Sequence, residues 1–295
     1  MTANILYDLD WILPLRNEWL TAVFKGFTHL GYTGFFFAAL PLLYWCWNKD
    51  KANRIATLTL IAALLMFFLK NLFQDPRPPA TFAMEGYRPE SFGLPSGHTF
   101  LAIVFWGGMA GEIRTKWFTF IALVMIIGIA FSRLYLGVHD LEDILGGAIP
   151  GGLLLAGLRV SKPGMKGRSK RLSALLTMIC AFALPLILWG LWDNGEPPGK
   201  FILMSSFFIG WQAGRMLEQQ GLDFTRPQGW RSLGAALTGV VILAITAAAL
   251  KSLLETAPLE PWVAQITGGL MIGLLITWII PVILVKTGIT QRSKT

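Results

Sequence analysis

The chain has 295 residues, of which 54% are hydrophobic and 14% are charged, and it includes 12 Trp and 20 Phe. A soluble domain of this length would need far more charge to stay dispersed, so the composition excludes a soluble globular fold. A net charge of +8 would suggest nucleic-acid binding in a soluble protein. Here the basic residues cluster in short links between apolar runs, which favours orientation in a membrane and no nucleic-acid partner.

The N-terminal residues, MTANILYDLDW, open with acidic side chains and lack the basic region of a secretory signal, so no cleavable signal peptide is expected. In the segment 10–27 the apolar positions are interrupted by Arg16, Glu18 and Lys25. This pattern predicts an amphipathic helix that lies on the membrane surface rather than one that crosses it. We therefore assign residues 1–29 to an interfacial N-terminal segment.

Nine apolar runs follow this segment, each near the length of about 20 residues that a helix needs to cross a bilayer. They lie at about 30–47, 55–73, 98–112, 117–134, 140–158, 172–192, 200–217, 232–250 and 262–285. We predict an all-α, polytopic membrane protein in which residues 30–160 form a core and residues 161–295 form a C-terminal helical membrane unit. Cys46 and Cys180 both lie inside apolar runs, so we expect neither a disulfide nor a zinc site.

The distribution of basic residues predicts the orientation of the chain. Most of the 25 Lys and Arg lie in alternate links, namely 48–54, 112–116, 159–171, 215–231 and the C-terminal tail. Links rich in Lys and Arg face the cytoplasm. We therefore expect the N-terminus, the link 74–97 and the stretch SRLYLGVHD to lie on the outer face, as in a bacterial inner-membrane protein whose site opens to the periplasm or exterior.

Three polar motifs fall on this predicted outer face, each at the end of an apolar run. They are KNLFQDPRP after the second run, LPSGHTF at the start of the third, and SRLYLGVHDLED between the fourth and fifth. The candidate site residues within them are Lys70, Arg77, Ser96, Gly97, His98, Arg133, His139 and Asp143.

The spacing of His139 and Asp143 predicts a histidine–carboxylate pair. Residues four apart share one face of a helix. The carboxylate can then accept a hydrogen bond from one ring nitrogen, which fixes the tautomer and leaves the other nitrogen free to attack. Beside them, the Gly97 amide at a helix start and the Ser96 hydroxyl are natural donors to phosphate oxygens.

Three cations, Lys70, Arg77 and Arg133, lie at the outer edges of apolar runs. Each one alone could simply extend to the lipid headgroups. Together with two histidines they predict an anion-binding cradle, because guanidinium groups match phosphate oxygens in pairs and lysine adds a point charge.

Three acidic residues near the motifs are harder to assign. Asp140 and Glu142 do not share the helix face of His139, so we expect both to face solvent. Asp75 can pair with Arg77 or act as a turn residue before Pro76, and both alternatives stay open.

The three motifs follow, in order, the signatures Lys-x6-Arg-Pro, Pro-Ser-Gly-His and Ser-Arg-x5-His-x3-Asp. Over about residues 30–160 the chain therefore resembles the type 2 phosphatidic acid phosphatase superfamily of membrane lipid phosphate phosphatases, which is related to the vanadium haloperoxidases. The resemblance implies a six-helix-type phosphatase core, and the additional spans resemble those of an extended bacterial subgroup.

The resemblance also implies a role for each site residue. His139 would be the nucleophile that forms a phosphohistidine, Asp143 would orient it, and His98 would protonate the leaving lipid alcohol. The phosphoryl oxygens would be held by Lys70, Arg77, Ser96, Gly97 and Arg133. Such enzymes need no metal and no cofactor.

The implied function is hydrolysis of a lipid phosphate or pyrophosphate at the outer face. Phosphatidate, phosphatidylglycerophosphate, sphingoid-base phosphates and polyprenyl (undecaprenyl-type) pyrophosphate are all candidate substrates. A lipid phosphotransferase with the same phosphoenzyme and a non-catalytic phospholipid transporter are the alternatives. The expected partners are the lipid substrate and membrane lipids, and a scaffold role for the last spans, including homo-oligomer formation, is left open.

Overall fold

The computed structural model describes residues 6–84, 86–87, 89–160 and 199–293; for residues 158–160 it describes the backbone alone. The predicted span 172–192 lies outside the described residues. Within the described part the chain is helical, and its β pairing is a single isolated bridge between Phe224 and Arg292. The prediction of an all-α membrane protein is confirmed.

A short 3-10 helix, Asp10–Leu15, precedes the first α-helix. The described α-helices are α1 Glu18–His29, α2 Thr33–Cys46, α3 Lys49–Phe73, α4 Gly97–Ile113, α5 Lys116–Tyr135, α6 Leu141–Val160, α7 Gly199–Gly221, α8 Trp230–Thr256, α9 Pro261–Leu274 and α10 Ile280–Lys286. A π-helical turn, Leu275–Ile279, joins the last two.

Four of the described helical segments are long and apolar enough to cross a membrane, judged by length and composition. They are Lys49–Phe73, Lys116–Tyr135, Trp230–Thr256 and the combined segment Pro261–Lys286. The predicted number of nine spans is therefore not confirmed. The helix α3 begins at Lys49, ahead of the predicted start at 55, because Asn48 caps it: the Asn48 Oδ1 accepts the amide of Lys51 at 2.9 Å.

The segment 10–27, predicted as one amphipathic helix, consists of two helical pieces. Asn17 is extended between them, and its Oδ1 accepts the Leu20 amide at 2.9 Å, which makes Asn17 the N-cap of α1. A cap of this kind requires non-helical backbone, so one continuous helix cannot form through Asn17. The placement of this segment on the membrane surface stays a prediction.

Two compact units make up the chain. One consists of Met1–Ala38 with Ile55–Lys162, and the other of Ala39–Arg54 with Pro163–Thr295. All the predicted site residues belong to the first unit.

Glycines of α6 bring the first unit's site elements together. A Cβ added to Gly147 would lie 2.5 Å from the carbonyl oxygen of Ser96, and one added to Gly151 would lie 3.3 Å from that of Phe100. Small residues at such positions let two helices in a membrane approach backbone to backbone. As a result the starts of α4 and α6 meet, and the Ser96 amide donates to the Asp143 carbonyl at 2.9 Å.

In the second unit, glycines likewise allow α7 to pack closely against α9. A Cβ on Gly210 would lie 2.3 Å from the Leu270 carbonyl oxygen, and one on Gly273 would lie 2.4 Å from the Trp211 amide nitrogen. These spacings leave no room for a side chain at either glycine, so the two helices pack through their backbones.

The π-helical turn of the second unit directly precedes Pro281. Proline has no N–H for the carbonyl four residues earlier, and its ring crowds that carbonyl. The local carbonyls find other donors: the Tyr44 hydroxyl donates to Thr277 at 3.3 Å and the Trp45 indole donates to Ile276 at 2.8 Å. The helical hydrogen bonds that are interrupted before Pro281 are therefore replaced by side-chain hydrogen bonds within the same unit.

Candidate active site

The structure brings the predicted site residues together at one end of the first unit. Lys70 lies in the last turn of α3, and Arg77 lies in the link between α3 and α4. The α4 helix begins with Gly97 and His98, after its N-cap residue Ser96. The remaining three come from α5, the following loop and the first turn of α6: Arg133, His139 and Asp143.

His139 and Asp143 form a buried pair. The His139 Nδ1 and the Asp143 Oδ2 are 2.6 Å apart, and the two residues are 2% and 1% exposed. Because an ionised carboxylate is an acceptor, this bond places the proton of a neutral imidazole on Nδ1. The Nε2 atom then carries the lone pair, which is the requirement for a nucleophile.

The Arg77 guanidinium lies directly on that lone pair. Its Nη1 is 3.0 Å from the His139 Nε2 and donates to the Val138 carbonyl at 2.6 Å. Its other nitrogens are anchored on Ser91, with Nε donating to the carbonyl at 2.6 Å and Nη2 to the hydroxyl at 3.1 Å. A phosphoryl group that approaches Nε2 therefore meets the Arg77 fork first, in position to bind its oxygens.

The surroundings of His139 favour its neutral form. Burial, together with the neighbouring charges of Arg77, Arg133 and Lys70, holds the pKa of His139 well below its ordinary value. The imidazole in the loop between α5 and α6 is thus kept unprotonated at neutral pH, as a nucleophile must be.

Lys70 is held by the link between α3 and α4. Its Nζ donates to the carbonyls of Phe92 at 2.5 Å and Gly93 at 2.7 Å, and the residue is 6% exposed. Gly93 comes close to Asp143, since a Cβ there would lie 3.0 Å from both carboxylate oxygens. These contacts fix the ammonium group beside the histidine–aspartate pair.

Asp75 joins the two ends of the same link. Its carbonyl accepts the Gly93 amide at 2.8 Å, and its carboxylate is hydrogen-bonded to the backbone of Leu94. Both bonds stabilise the fold of the link, and no hydrogen bond or ion pair between Asp75 and Arg77 is found among the described residues.

Ser96 and Gly97 form the N-terminal end of α4. Ser96 is fully buried, and its Oγ accepts the Thr99 hydroxyl at 3.1 Å, which leaves the serine proton to be donated elsewhere. The first amides of a helix have no carbonyl partner within it and carry partial positive charge. The Gly97 amide is one of these, so this end of α4 is suited to an anion.

Arg133 and His98 each present buried atoms that have no partner among the described residues. These are Nε and Nη2 of Arg133 and Nε2 of His98, and the Oδ1 of Asp143 belongs to the same set. Buried polar atoms without partners are uncommon because their desolvation is not compensated. Phosphate oxygens match the two guanidinium donors, so the Nε and Nη2 of Arg133 fit an oxyanion site.

Two contacts of this site were not predicted from the sequence. Arg133 donates through Nη1 to the Thr28 hydroxyl, and the ring of Tyr32 lies edge-on against His98 with centroids 4.8 Å apart. Neither residue belongs to a motif, and both are distant in sequence from their partners. Only the packing of α1 against α5 brings them to the site.

The prediction that Asp140 faces solvent is wrong. The residue is 7% exposed, and its Oδ1 accepts the Asp143 amide at 3.0 Å. Because α6 begins at Leu141, Asp140 is in the N-cap position, where a carboxylate turns back onto the first amides. Glu142 is half-buried and is hydrogen-bonded to the Tyr7 hydroxyl.

Comparison with known protein families gives one matching family over the site region. Residues 51–163 match the model of the PAP2 superfamily. The chain is also 30% identical over 154 residues to Phosphatidylglycerophosphatase B of Bacillus subtilis, a match that covers 48% of this chain and 74% of that protein.

Relatives in eukaryotes share the same half of the chain. Lipid phosphate phosphatase delta of Arabidopsis thaliana is 28% identical over 161 residues, which covers 49% of this chain and 39% of the relative. A probable sphingosine-1-phosphate phosphatase of Dictyostelium discoideum is 30% identical over 152 residues, which covers 47% and 37%. The match thus spans about two fifths of the length of these two relatives.

A solved structure, that of a transmembrane PAP2 type phosphatidylglycerolphosphate phosphatase from Bacillus subtilis, is 26% identical to the chain. The alignment covers 53% of this chain and 85% of that one, with a TM-score of 0.45.

Proposed function

The chain belongs to the PAP2 superfamily, and on this premise we propose that it hydrolyses a phosphate ester or pyrophosphate of a membrane lipid through a phosphohistidine intermediate. One observation carries the proposal. The buried His139–Asp143 pair directs Nε2 toward the Arg77 fork, with Lys70 and Arg133 close enough to act on the same imidazole. A nucleophile among three fixed cations suits the phosphoryl group better than any neutral substrate.

In the first step the His139 Nε2 attacks phosphorus, and the Arg77 Nη1 moves from the nitrogen to a phosphoryl oxygen. The bond from phosphorus to the leaving oxygen breaks, and the leaving oxygen takes the Nε2 proton of His98, which enters this step as the imidazolium protonated on both ring nitrogens. The proton on the His139 Nδ1 stays hydrogen-bonded to Asp143, which stabilises the positive charge on the phosphorylated ring.

In the second step a water molecule attacks the phosphohistidine. The His98 Nε2, which has lost its proton in the first step, accepts one from the water as the new bond to phosphorus forms. The bond between phosphorus and the His139 Nε2 breaks, inorganic phosphate leaves, and both histidines return to their initial protonation states.

We propose that side-chain cations take the place that a metal occupies in other phosphatases. Lys70, Arg77 and Arg133 would hold the phosphoryl oxygens, assisted by Ser96 and the Gly97 amide. The described residues contain no group of three or more His, Cys, Asp or Glu side chains able to hold a metal ion. The cations that would bind the oxygens are all part of the chain.

The substrate class follows from the names of the relatives. They are phosphatases of phosphatidylglycerophosphate, of sphingosine 1-phosphate and of lipid phosphates generally. We propose a lipid of this class for the present chain and keep polyprenyl pyrophosphate within it. We place the site at the outer face of a bacterial inner membrane, since most basic residues lie in links predicted to be cytoplasmic.

For the remaining parts of the chain we propose supporting roles. Residues 1–29 would rest at the membrane interface beside the core 30–160, and residues 161–295 would form a scaffold that also allows a homo-oligomer.

Purified protein is expected to release phosphate from at least one lipid phosphate, and to do so equally well in EDTA, because protein cations hold the phosphoryl group. The measurement is phosphate release across a panel of phosphatidate, phosphatidylglycerophosphate, sphingoid-base phosphate and polyprenyl pyrophosphate. Activity lost on chelation and restored by a divalent ion would contradict the metal-free mechanism. Transfer of phosphate to an added lipid alcohol without release would favour the phosphotransferase, and inactivity in both assays would favour the transporter.

The acid limb of the pH profile is expected to lie below about pH 6.5, which is the ordinary pKa of histidine. The depressed pKa of His139 keeps Nε2 unprotonated in mild acid, and activity is lost only as the pH falls through that lowered value. The measurement is kcat/KM against pH, which reports the pKa of the free enzyme, for phosphatidate and for a sphingoid-base phosphate, whose ammonium group lowers the phosphate pKa. An acid limb that is set by a group of the enzyme falls at the same pH for both lipids. If both lipids shared an acid limb above about pH 6.5, the prediction would be contradicted.

A further inference from the structure

Thr28, in the last turn of α1, contacts two residues of the proposed site at once. The residue is fully buried, and its hydroxyl accepts a hydrogen bond from the Arg133 Nη1. Its backbone lies beside the ring of His98 and raises the affinity of that ring for a proton. Thr28 lies outside residues 51–163, the part of the chain that matches the family model, and outside all three sequence motifs.

The first contact fixes the direction of the Arg133 fork. Among the described residues, the Nη1 of Arg133 bonds to the Thr28 hydroxyl and the Tyr32 side chain lies beside the guanidinium, whereas Nε and Nη2 are buried without a partner of hydrogen-bond geometry. A guanidinium is planar, so a bond at one nitrogen sets the plane and therefore the direction of the other donors. The Thr28 hydroxyl is thus the hydrogen-bonded anchor that orients the two remaining donors toward a phosphate.

The second contact fixes the orientation of the His98 ring. The Nε2 of His98 is buried without a partner among the described residues, and the Thr28 backbone lies beside the ring. The same turn confines the ring: a Cβ on Gly31 would lie 2.4 Å from the His98 Cδ2, and Tyr32 packs edge-on against it. The Nε2 atom is therefore the one that faces the reacting group.

The position of Thr28 is itself well determined. Phe24, one turn earlier in α1, packs against Tyr135 of α5 with ring centroids 4.7 Å apart, and the Thr21 hydroxyl is 3.0 Å from the Tyr135 hydroxyl. Because Arg133 lies two residues before Tyr135, the interface between α1 and α5 holds Thr28 against the guanidinium.

We infer that Thr28 is a positioning residue, which acts on the reaction through Arg133 and His98 without touching the substrate. The inference rests on the proposed function, because it assigns Arg133 to the phosphoryl oxygens and His98 to the leaving group. It also gives α1 a role in the site, although this helix carries none of the motifs.

The test compares Thr28→Val, which keeps the shape and removes the hydroxyl, with Thr28→Ser, which keeps the hydroxyl. Thr28→Val is expected to lower kcat/KM about 10- to 100-fold, the range that follows from a small misplacement of a binding group. Thr28→Ser is expected to stay within about threefold of wild type, since the hydrogen bond to Arg133 is retained. The matched control is Thr59→Val in α3, a buried threonine whose hydroxyl bonds within its own helix to Ile55.

A second measurement, binding of orthovanadate, separates positioning from loss of folded protein. Vanadate takes the geometry of a transferring phosphoryl group, so its affinity reports how the Arg133 guanidinium is oriented in the absence of turnover. We expect Thr28→Val to bind vanadate at least tenfold more weakly while it remains folded at the assay temperature, and Thr59→Val to bind it like wild type. In the double variant with Arg133→Lys, the Thr28→Val change should have no further effect, because the guanidinium that the Thr28 hydroxyl orients is already absent.

Several outcomes would overturn the inference. They are equal vanadate affinity in Thr28→Val and wild type, a failure of Thr28→Ser to restore activity, and effects of Thr28→Val and Arg133→Lys that simply add. Absence of lipid phosphatase activity in wild type would instead contradict the proposed function. The vanadate comparison would still decide on Thr28, with undetectable vanadate binding by wild type counting against it.

Discussion

Replacing His139 with alanine is expected to reduce phosphate release from the lipid substrate by about 10³-fold or more, the loss typical of removing a covalent nucleophile. The Nε2 of His139 is the atom that the Asp143 bond frees for attack and that Arg77 covers at 3.0 Å. No other imidazole has this pairing among the described residues. The measurements are phosphate release and trapping of the phosphoenzyme, which should be stable in base, unstable in acid and absent from the variant.

The matched control for this variant is His29→Ala. The chain contains three histidines, and His29 is the exposed one, at the last position of α1. It should keep the activity of wild type because it contacts the Tyr32 ring and no proposed site residue. If the His139→Ala variant kept more than a tenth of wild-type activity, the covalent mechanism would be wrong, and hydrolysis by a directly activated water would replace it.

Local spacing was enough to predict the central pair of the site. The four-residue interval between His139 and Asp143 places them on one face of a helix start, and the structure has their side chains at 2.6 Å. The ends of the apolar runs were similarly informative, because they located Lys70 and Arg133 in the last turns of α3 and α5 and Arg77 in the link that follows α3. Patterns of this kind depend on residues close in sequence, so no knowledge of the fold was needed.

Other features depend on contacts across the fold and could not be predicted. Thr28 holds Arg133 from a distant point in the chain that no motif marks, and Ser91 holds Arg77 from the far end of the same link. Asp140 was misjudged because helix-face geometry does not describe a cap, whose side chain turns back toward the helix axis. The break at Asn17 was missed for the same reason, since hydrophobic periodicity continues through a capping residue.

Replacing His98 with asparagine is expected to slow the reaction by about 10²- to 10⁴-fold when the leaving group is a lipid alcohol, the contribution usual for general acid catalysis. The effect should depend on the leaving group. A lipid alkoxide is strongly basic and needs the proton of the His98 Nε2, whereas p-nitrophenolate is a weak base and departs without one. Phosphorylation of His139 by p-nitrophenyl phosphate should therefore be slowed less than tenfold, because the nucleophile and the three cations are unchanged.

The two steps of the mechanism give this variant a distinctive time course. His98 also accepts the proton of the water in the second step, so the asparagine variant should release one equivalent of p-nitrophenol rapidly and then turn over slowly. The measurement is the amplitude and rate of this burst, with His139→Ala as the variant that shows none. Equal slowing of the burst with p-nitrophenyl phosphate and of the reaction with the lipid would mean that His98 holds the phosphoryl group instead of protonating the leaving oxygen. The unpartnered Nε2 would then be grouped with the donors of Arg133 as part of the anion cradle.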